Sequence, residues 1–182
     1  MFIQTEPTPN PATLKFLPGR EVMASGTANF TEAAAATSSP LAERLFELEG
    51  VTGVYLGSDF ITVSKAADLD WLQLKPAVLA AIMDHFTSGQ PVMTGAVAPA
   101  EASEDEDDEV VSQIKELLET RVRPAVAQDG GDIIFHSFED GIVYLTMQGS
   151  CSGCPSSTAT LKAGIENMLR HYIPEVHEVR PV

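Results

Sequence analysis

Residues 132–157 read DIIFHSFEDGIVYLTMQGSCSGCPSS, and this stretch decides the fold of the C-terminal half of the chain. Two runs rich in β-branched and aromatic residues, DIIFHSF and GIVYLTMQG, flank Glu139-Asp140-Gly141, which predicts an antiparallel hairpin. The second strand leads directly into a loop that holds both cysteines of the 182-residue chain, Cys151 and Cys154. The sequence therefore predicts a pair of thiols between a strand and a helix.

Helical patterns lie on both sides of this hairpin. Before it, apolar residues recur at helical spacing from Val110 to Val126, and the helix is expected to end before Asp129-Gly130-Gly131. After it, PSSTATLKAGIENMLRHY predicts a second helix, and EVHEVRPV predicts a closing strand. The inward face of the second helix is predicted to carry Leu161, Ile165, Met168, Leu169 and Tyr172. The expected fold of this half is a small α/β domain, in which a small sheet is backed by two helices and the CxxC loop lies between a strand and a helix.

The N-terminal half predicts a separate α+β domain. TLKFL alternates like a strand, and VTGVYLG and FITVSK form a predicted hairpin around Ser58-Asp59. Two helices are expected, one in SSPLAERLFELEG with Ser39 as N-cap and Pro40 at its first position, the other in DWLQLKPAVLAAIMDHF with Asp70 as N-cap. The apolar side of the second helix is predicted to carry Leu72, Val78, Leu79, Ile82 and Phe86. Trp71 is expected to pack in the core rather than to stack on a ligand.

Between the halves, TSGQPVMTGAVAPAEASEDEDDE has no periodic apolar pattern and ends in a run of acidic residues. Such a segment is typical of a flexible, self-repelling linker. The predicted division is therefore a domain at 1–88, an acidic linker at 89–109 and a second domain at 110–182. A solvated tether is favoured over a docking role for the acidic run.

The charge of the chain excludes some partners and its apolar pattern excludes a membrane span. The 26 acidic and 11 basic residues give a net charge of −15, and an acidic surface repels phosphate backbones and anionic lipid headgroups. We therefore expect neither nucleic acid nor a membrane as partner. The longest apolar runs are too short for a spanning helix, and the N-terminal residues resemble no export or import signal. In the reducing compartment expected by default, a CxxC pair is typical of metal binding or catalysis.

The cysteine loop favours negative charge on sulfur. Pro155 fits the first position of the following helix, which makes Cys154 its N-cap and leaves the N–H groups of Ser156, Ser157 and Thr158 without helical partners. These donors and the helix dipole favour a thiolate. Gly149 and Gly153 also let the backbone approach a bulky ligand closely.

Several chemistries compete for this loop. A structural CxxC pair would not need two glycines, a proline and uncapped amides around it. A Cys₂His₂ zinc site would draw on the four histidines, but their spacing does not match that of a zinc site. These are His85, His136, His171 and His177.

Two interpretations of the loop as a catalytic site also remain. A thiol–disulfide oxidoreductase has its CxxC motif at the same strand-to-helix position, and it is the main alternative. Such a motif normally belongs to a larger βαβ framework than this half of the chain provides. GSCSG also matches a nucleophile elbow with Cys151 as nucleophile and His171 or His177 as base, but the half-chain is too short for an α/β-hydrolase sheet.

Iron–sulfur ligation is favoured because clusters are typically held by four thiolates and carry negative charge. Two cysteines per chain then imply two chains per cluster, related by a two-fold axis. A site with so few protein bonds suits delivery of a cluster better than electron storage.

The residues also carry a family resemblance. The run RPAVAQDGGDIIFHSFEDGIVYLTMQGSCSGCPSSTATLKAGIENMLRHYIPEVHEV resembles the C-terminal domain of NifU, and the order of the two halves resembles the Nfu-type iron–sulfur cluster carriers. FIQTEPTPNPATLKFLPG, SPLAERLFELEGV and DFITVSK are similar to the N-terminal domain of that family. The combination of DGGD, GSCSGCPSS and TLKAGIENML makes the resemblance specific, and it covers nearly the whole chain apart from the linker.

The resemblance implies a non-enzymatic carrier of a [4Fe–4S] cluster, with [2Fe–2S] as the alternative nuclearity. The cluster would be held across a homodimer by Cys151 and Cys154 of each chain. Upstream scaffold proteins would supply it, and apo-enzymes such as aconitase-type or lipoyl-synthase-type clients would receive it. The residues 129–132 are expected to serve in turn formation and packing rather than as ligands, because carboxylates are harder donors than such clusters prefer.

Two absences qualify the resemblance. The chain has no NifU-type scaffold segment with its own cysteines, which favours transfer over assembly. No transit peptide precedes Met1, so a bacterial cytoplasmic location is expected, with the mitochondrial matrix as the alternative if a presequence has been removed. The N-terminal domain is expected to bind a partner or to restrain the C-terminal domain.

Overall fold

A five-stranded antiparallel sheet organises the N-terminal domain of the computed structural model, which describes residues 2–95, 109–151 and 157–182. The strand order is β1-β2-β5-β4-β3. The strands are β1 Gln4–Pro7, β2 Thr13–Leu17, β3 Ala28–Phe30, β4 Val51–Leu56 and β5 Ile61–Lys65. β4 and β5 form the hairpin predicted from the sequence, so the local β-branched pattern is confirmed there.

Two helices, α1 Pro40–Phe46 and α2 Trp71–Ser88, pack on one face of this sheet. Both predicted caps are confirmed: the Ser39 side chain accepts a hydrogen bond from Ala42 N, and the Asp70 side chain accepts one from Leu72 N. The core contains fully buried side chains from both layers, including Phe16, Leu41, Leu45, Ile61, Val63, Val78 and Ile82. Burial of each large aliphatic side chain stabilises the domain by about 1.5–3 kcal/mol.

The N-terminal domain differs from the sequence prediction in three respects. Strands β1 and β3 and a 3₁₀ helix at Ala33–Ser38 were not predicted, because all are short and carry no clear apolar alternation. Leu72 was expected in the core, but it is 84% exposed. Leu74, two residues further along the first turn, is buried in its place.

The C-terminal domain is built on a three-stranded sheet of order β6-β7-β8. β6 Gly131–Glu139 and β7 Ile142–Gly149 form the predicted antiparallel hairpin, and β8 Glu178–Pro181 pairs parallel to β7. Asp140 and Gly141 have φ values of 50° and 78°, as a two-residue turn of type I′ requires. β7 is therefore the central strand, and its C-terminal end carries the cysteine loop.

Helical segments cover one side of this sheet, and their buried residues form a second hydrophobic cluster. They are α3 Glu109–Leu117, a π-helical segment Leu118–Val122, α4 Arg123–Gln128 and α5 Ser157–Tyr172. The sequence predicted a single helix in place of the first three. Pro124 has no N–H to bond Thr120, so a widened π turn just before the proline accommodates it. The end of the helix before Asp129 is as predicted.

Two predictions for the rest of the chain have different outcomes. Tyr172 was expected to face the core, but it is 48% exposed, whereas Ile165 and Leu169 of the same helix are buried. Most of the predicted linker, residues 96–108, lies outside the described residues. The two-domain α+β architecture is confirmed, while the exact domain bounds remain a prediction. In the part of the chain that is described, no helix is both long and apolar enough to span a bilayer.

Candidate functional site

Cys151 lies in the turn that follows β7. The strand ends at Gly149, whose φ of 63° turns the chain, and Cys151 comes two residues later with only 5% of its surface exposed. The second predicted site residue, Cys154, lies outside the described residues with the rest of 152–156, so the predicted cap of the following helix lies outside them as well. α5 is described from Ser157. The order of strand, thiol and helix is therefore as predicted.

Gly131 makes room for the Cys151 thiol, and Gly149 on the paired strand allows a close approach of the two backbones. Gly131, the first residue of β6, pairs with Gly149, the last residue of β7. A Cβ atom at Gly131 would overlap Cys151 Sγ and would lie 3.0 Å from Cys151 N. A Cβ atom at Gly149 would lie 3.1 Å from Gly131 Cα. The thiol therefore rests against bare backbone, in a space that any side chain at Gly131 would fill.

The turn that carries Cys151 is tied to the segment before β6. Ser150 N donates to Gly130 O at 3.2 Å, and the Ser150 hydroxyl donates to Asp129 O. Ser150 is 2% exposed, so both bonds are shielded from water. Asp129 and Gly130 form the turn between α4 and β6, so these bonds hold the residue before Cys151 against that turn.

Asp132 is the most heavily bonded side chain near the site. Its carboxylate accepts two parallel bonds from the Arg123 guanidinium, each of 2.9 Å, and one from Ile133 N at 2.8 Å. The bond to Asp132, assisted by a second one to Glu119, raises the pKa of Arg123 above its usual value. Asp132 is 3% exposed, so this two-pronged pair compensates a buried charge. Sequence reasoning assigned Asp132 to packing and did not predict the ion pair.

A side chain of the N-terminal domain completes the environment of Asp132. The Tyr55 hydroxyl donates to Asp132 Oδ2 at 2.9 Å across the domain boundary. Burial raises the pKa of Tyr55 well above its ordinary value of 10.0, and the negative charge of Asp132 acts in the same direction. The phenol therefore stays protonated at neutral pH and remains a hydrogen-bond donor to the carboxylate.

Four further hydrogen bonds cross from the N-terminal domain to this part of the C-terminal domain, one of them from Thr27 Oγ1 to Asp132 Oδ2 at 3.5 Å. Lys15 Nζ donates to Gln128 O at 3.1 Å, and Thr62 Oγ1 donates to Gly130 O at 2.7 Å. Asn10 Nδ2 donates to Ser150 O at 3.4 Å, next to Cys151. These contacts join residues far apart in the chain, and no local pattern predicts them beyond the polar character of alternate strand positions.

An apolar cavity of about 360 Å³ opens beside Cys151. Its walls come mainly from the helices of the C-terminal domain, and Pro9 of the N-terminal domain closes one edge. The apolar lining includes Val122, Val126, Leu161, Ile165 and Met168. A hydrophobic shell of this kind limits the access of water to a metal site beside it.

The histidines considered for a zinc site lie in different environments. His85 is fully buried in the N-terminal domain, where burial and the nearby Arg44 charge lower its pKa. His136 contacts Ser137, His171 contacts the Tyr172 ring, and His177 lies against the turn at Gly141. Within the described ranges, no three His, Cys, Asp or Glu side chains come together as a metal site.

Comparison with protein families assigns both halves of the chain. Residues 3–89 match the family described as scaffold protein Nfu/NifU N terminal, and residues 114–180 match the NifU-like domain. The human protein named NFU1 iron-sulfur cluster scaffold homolog, mitochondrial, is 57% identical over 183 residues, which cover all of this chain and 72% of the human protein. The protein of the same name from Drosophila persimilis is 56% identical and is covered to 65% of its length.

A solved structure resembles part of the chain. The solution NMR structure of a NifU-like protein from Saccharomyces cerevisiae has 26% sequence identity and a TM-score of 0.47. It covers 52% of this chain and 85% of the yeast chain.

Proposed function

Since the chain belongs to the family of Nfu-type iron–sulfur cluster scaffold proteins, we propose that it carries a [4Fe–4S] cluster and passes it to apo-proteins. The observation that carries the proposal is the position of Cys151. It lies at the end of the central strand of the NifU-like domain, against the backbone of Gly131 and beside an apolar cavity. This placement suits a thiolate that holds a bulky, water-sensitive group.

The proposed ligands are Cys151 and Cys154 of two chains. A four-iron cluster is typically held by four thiolates, and each chain has two cysteines. A two-fold dimer that brings two identical loops together supplies the four ligands. The cluster is cargo in this proposal, since it leaves with the client protein.

Transfer would proceed by exchange of thiolates. Cysteines of an apo-protein replace Cys151 and Cys154 one at a time, so each iron stays four-coordinate while the cluster moves. No bond to a carboxylate or histidine has to be broken, because the site uses only the two thiolates of each chain. The relation to proteins named as scaffolds supports this non-catalytic role.

Partners and compartment follow from the same relation. We propose apo iron–sulfur proteins as recipients and an upstream scaffold as the source of the cluster. The human and Drosophila relatives compared above are named as mitochondrial proteins, which supports the matrix among the two compartments considered from the sequence.

Anaerobic reconstitution with ferrous iron and sulfide tests the proposal. We expect about two iron and two sulfide ions per chain, a dimeric mass, and the absorption spectrum of a four-iron cluster. Cys151→Ser and Cys154→Ser should each lose the cluster but keep the circular dichroism of the apo-protein. His136→Gln is the matched control, since it removes an exposed potential ligand that the proposal does not use.

The outcome that contradicts the proposal is also defined. Either cysteine variant with full iron and sulfide content would exclude the shared site. A monomer that binds neither ion but reduces disulfides in a metal-free assay would instead support the oxidoreductase alternative.

A further inference from the structure

Three polar side chains form a row across the N-terminal sheet, on the face opposite its helices. Lys15 of β2 pairs with Thr62 of β5, and Thr62 pairs with Tyr55 of β4. Their strand neighbours, such as Phe16 and Val63, belong to the hydrophobic core, so alternation turns the three polar side chains to the other face.

This row is buried although its residues are polar. Lys15, Thr62 and Tyr55 are 7%, 1% and 2% exposed. Polar side chains on the second face of a sheet normally face water. Here the C-terminal domain covers them, and each of the three donates a hydrogen bond into it.

The acceptors on the C-terminal domain form a matching row. Lys15, Thr62 and Tyr55 donate to Gln128 O, Gly130 O and the Asp132 carboxylate, respectively. The three donors come from adjacent strands, and the three acceptors come from alternate residues of one segment. In each of these three bonds the N-terminal domain supplies the donor and the C-terminal domain supplies the acceptor.

The same contact covers the edge that carries Cys151. Residues 128–132 include Gly131, against which the thiol packs, and Gly130, whose carbonyl accepts from Ser150 N. Asn10 bonds Ser150 O directly, and Pro9 forms one wall of the cavity next to the thiol. In the dimer of the proposed function a second copy has to approach Cys151, next to which Asn10 and Pro9 of the N-terminal domain already lie.

We propose that the row Lys15, Thr62 and Tyr55 is a docking surface for residues 128–132 of its own chain, and that the docked form and the cluster-sharing dimer exclude each other. The second half of this inference rests on the proposed function. In the docked form the N-terminal domain lies next to Cys151, which the partner chain has to approach. Loading of a cluster therefore releases the N-terminal domain, and its surface of hydrogen-bond donors becomes exposed.

The full-length double variant Tyr55→Phe/Thr62→Val tests the docking. It removes two of the three matched hydroxyl or ammonium donors and keeps side chains that favour strands. Loss of two hydrogen bonds of ordinary strength should shift the ratio of docked to released molecules about tenfold, which corresponds to about 1.4 kcal/mol. Small-angle scattering of the apo-protein should then give a larger radius of gyration than that of wild type.

The control and a second variant guard against misfolding. Thr5→Val/Tyr172→Phe makes the same two changes at positions for which no bond between the domains is observed, and it should scatter like wild type. Lys15→Met breaks the third contact on a different strand and keeps the aliphatic stem. It should expand the apo-protein in the same direction, with an unchanged circular dichroism spectrum.

Cluster loading tests the exclusion. On loading, the two domains of each wild-type chain should move apart. The double variant should take up iron and sulfide about tenfold faster than wild type or the control. Equal radii of apo wild type and both interface variants would overturn the docking, whatever the cluster content. A Tyr55 phenol that stays as protected from chemical nitration in the loaded protein as in the apo-protein would overturn the exclusion, because release of the N-terminal domain exposes this buried side chain. Failure of wild type to bind iron and sulfide would overturn the proposed function and the exclusion, while the comparison of apo radii would still decide the docking.

Discussion

The substitution Gly131→Ala probes the contact that positions Cys151. The new methyl group would overlap Cys151 Sγ and lie 3.0 Å from Cys151 N and 3.1 Å from its Cβ, all closer than ordinary contact. Cys151 N cannot retreat freely, because the preceding Ser150 is bonded to Gly130 O and Asp129 O. Overpacking of this kind costs about 1–3 kcal/mol. We expect Gly131→Ala to destabilise the C-terminal domain by that amount and to lower its cluster content.

Gly164→Ala is the matched control, since it makes the same change in the same domain. No heavy atom outside its own helix lies within 4 Å of the added methyl group. Alanine in a helix interior is more stable than glycine by about 0.5–1 kcal/mol, so this variant should be stabilised. The two substitutions are therefore expected to change the stability of the C-terminal domain in opposite directions.

Denaturant-dependent hydrogen exchange of the amides in β6 and β7 measures the stability of the C-terminal domain separately from that of the N-terminal domain. Iron and sulfide analysis after anaerobic reconstitution measures the cluster content. If Gly131→Ala matched wild type in both measurements, the close approach of Gly131 to the thiol would have no role in placing it.

Two further predictions concern the N-terminal domain. Burial lowers the pKa of His85 below 6.5, so the unfolded chain binds more protons than the folded one as the pH falls below that value. The free energy of unfolding therefore decreases in that range. Urea titrations at several pH values should show a smaller decrease for His85→Leu and the wild-type decrease for His136→Gln. Leu72→Gln should change the free energy of unfolding by less than about 0.5 kcal/mol, whereas Leu74→Ala should lower it by about 2–5 kcal/mol. Trp71 fluorescence during unfolding measures both changes, and equal effects of the two substitutions would contradict the observed burial.

Features that depend on neighbouring residues were predictable from the sequence. Ser39 and Asp70 cap their helices because the capping bond reaches only two or three residues along the chain. The hairpin of β6 and β7 was equally clear, because Asp140-Gly141 supplies the turn and the flanking strands alternate. The loop between a strand and a helix that carries the thiols followed from the same local order.

Features that depend on the orientation of a helix or on distant contacts were not predictable. Leu72 and Tyr172 lie near the ends of their helices, where a small rotation decides between core and solvent. The contacts of Tyr55 and Thr62 with the segment 128–132 join residues more than 65 positions apart. Periodicity marks these two as polar positions of a sheet, but it does not reveal that a second domain buries them.

The position of β8 has a consequence for how the protein forms during its synthesis. The last helix of the N-terminal domain ends at Ser88, whereas the C-terminal sheet is completed only by Glu178–Pro181. Ribosomes add about 5–20 residues per second, so the N-terminal domain can fold several seconds before the other sheet has its third strand. Within that interval both cysteines are added to the chain, before β8 completes the sheet of their domain. The burial of Cys151 thus waits for the last strand of its sheet, at a time when the N-terminal domain can already be folded.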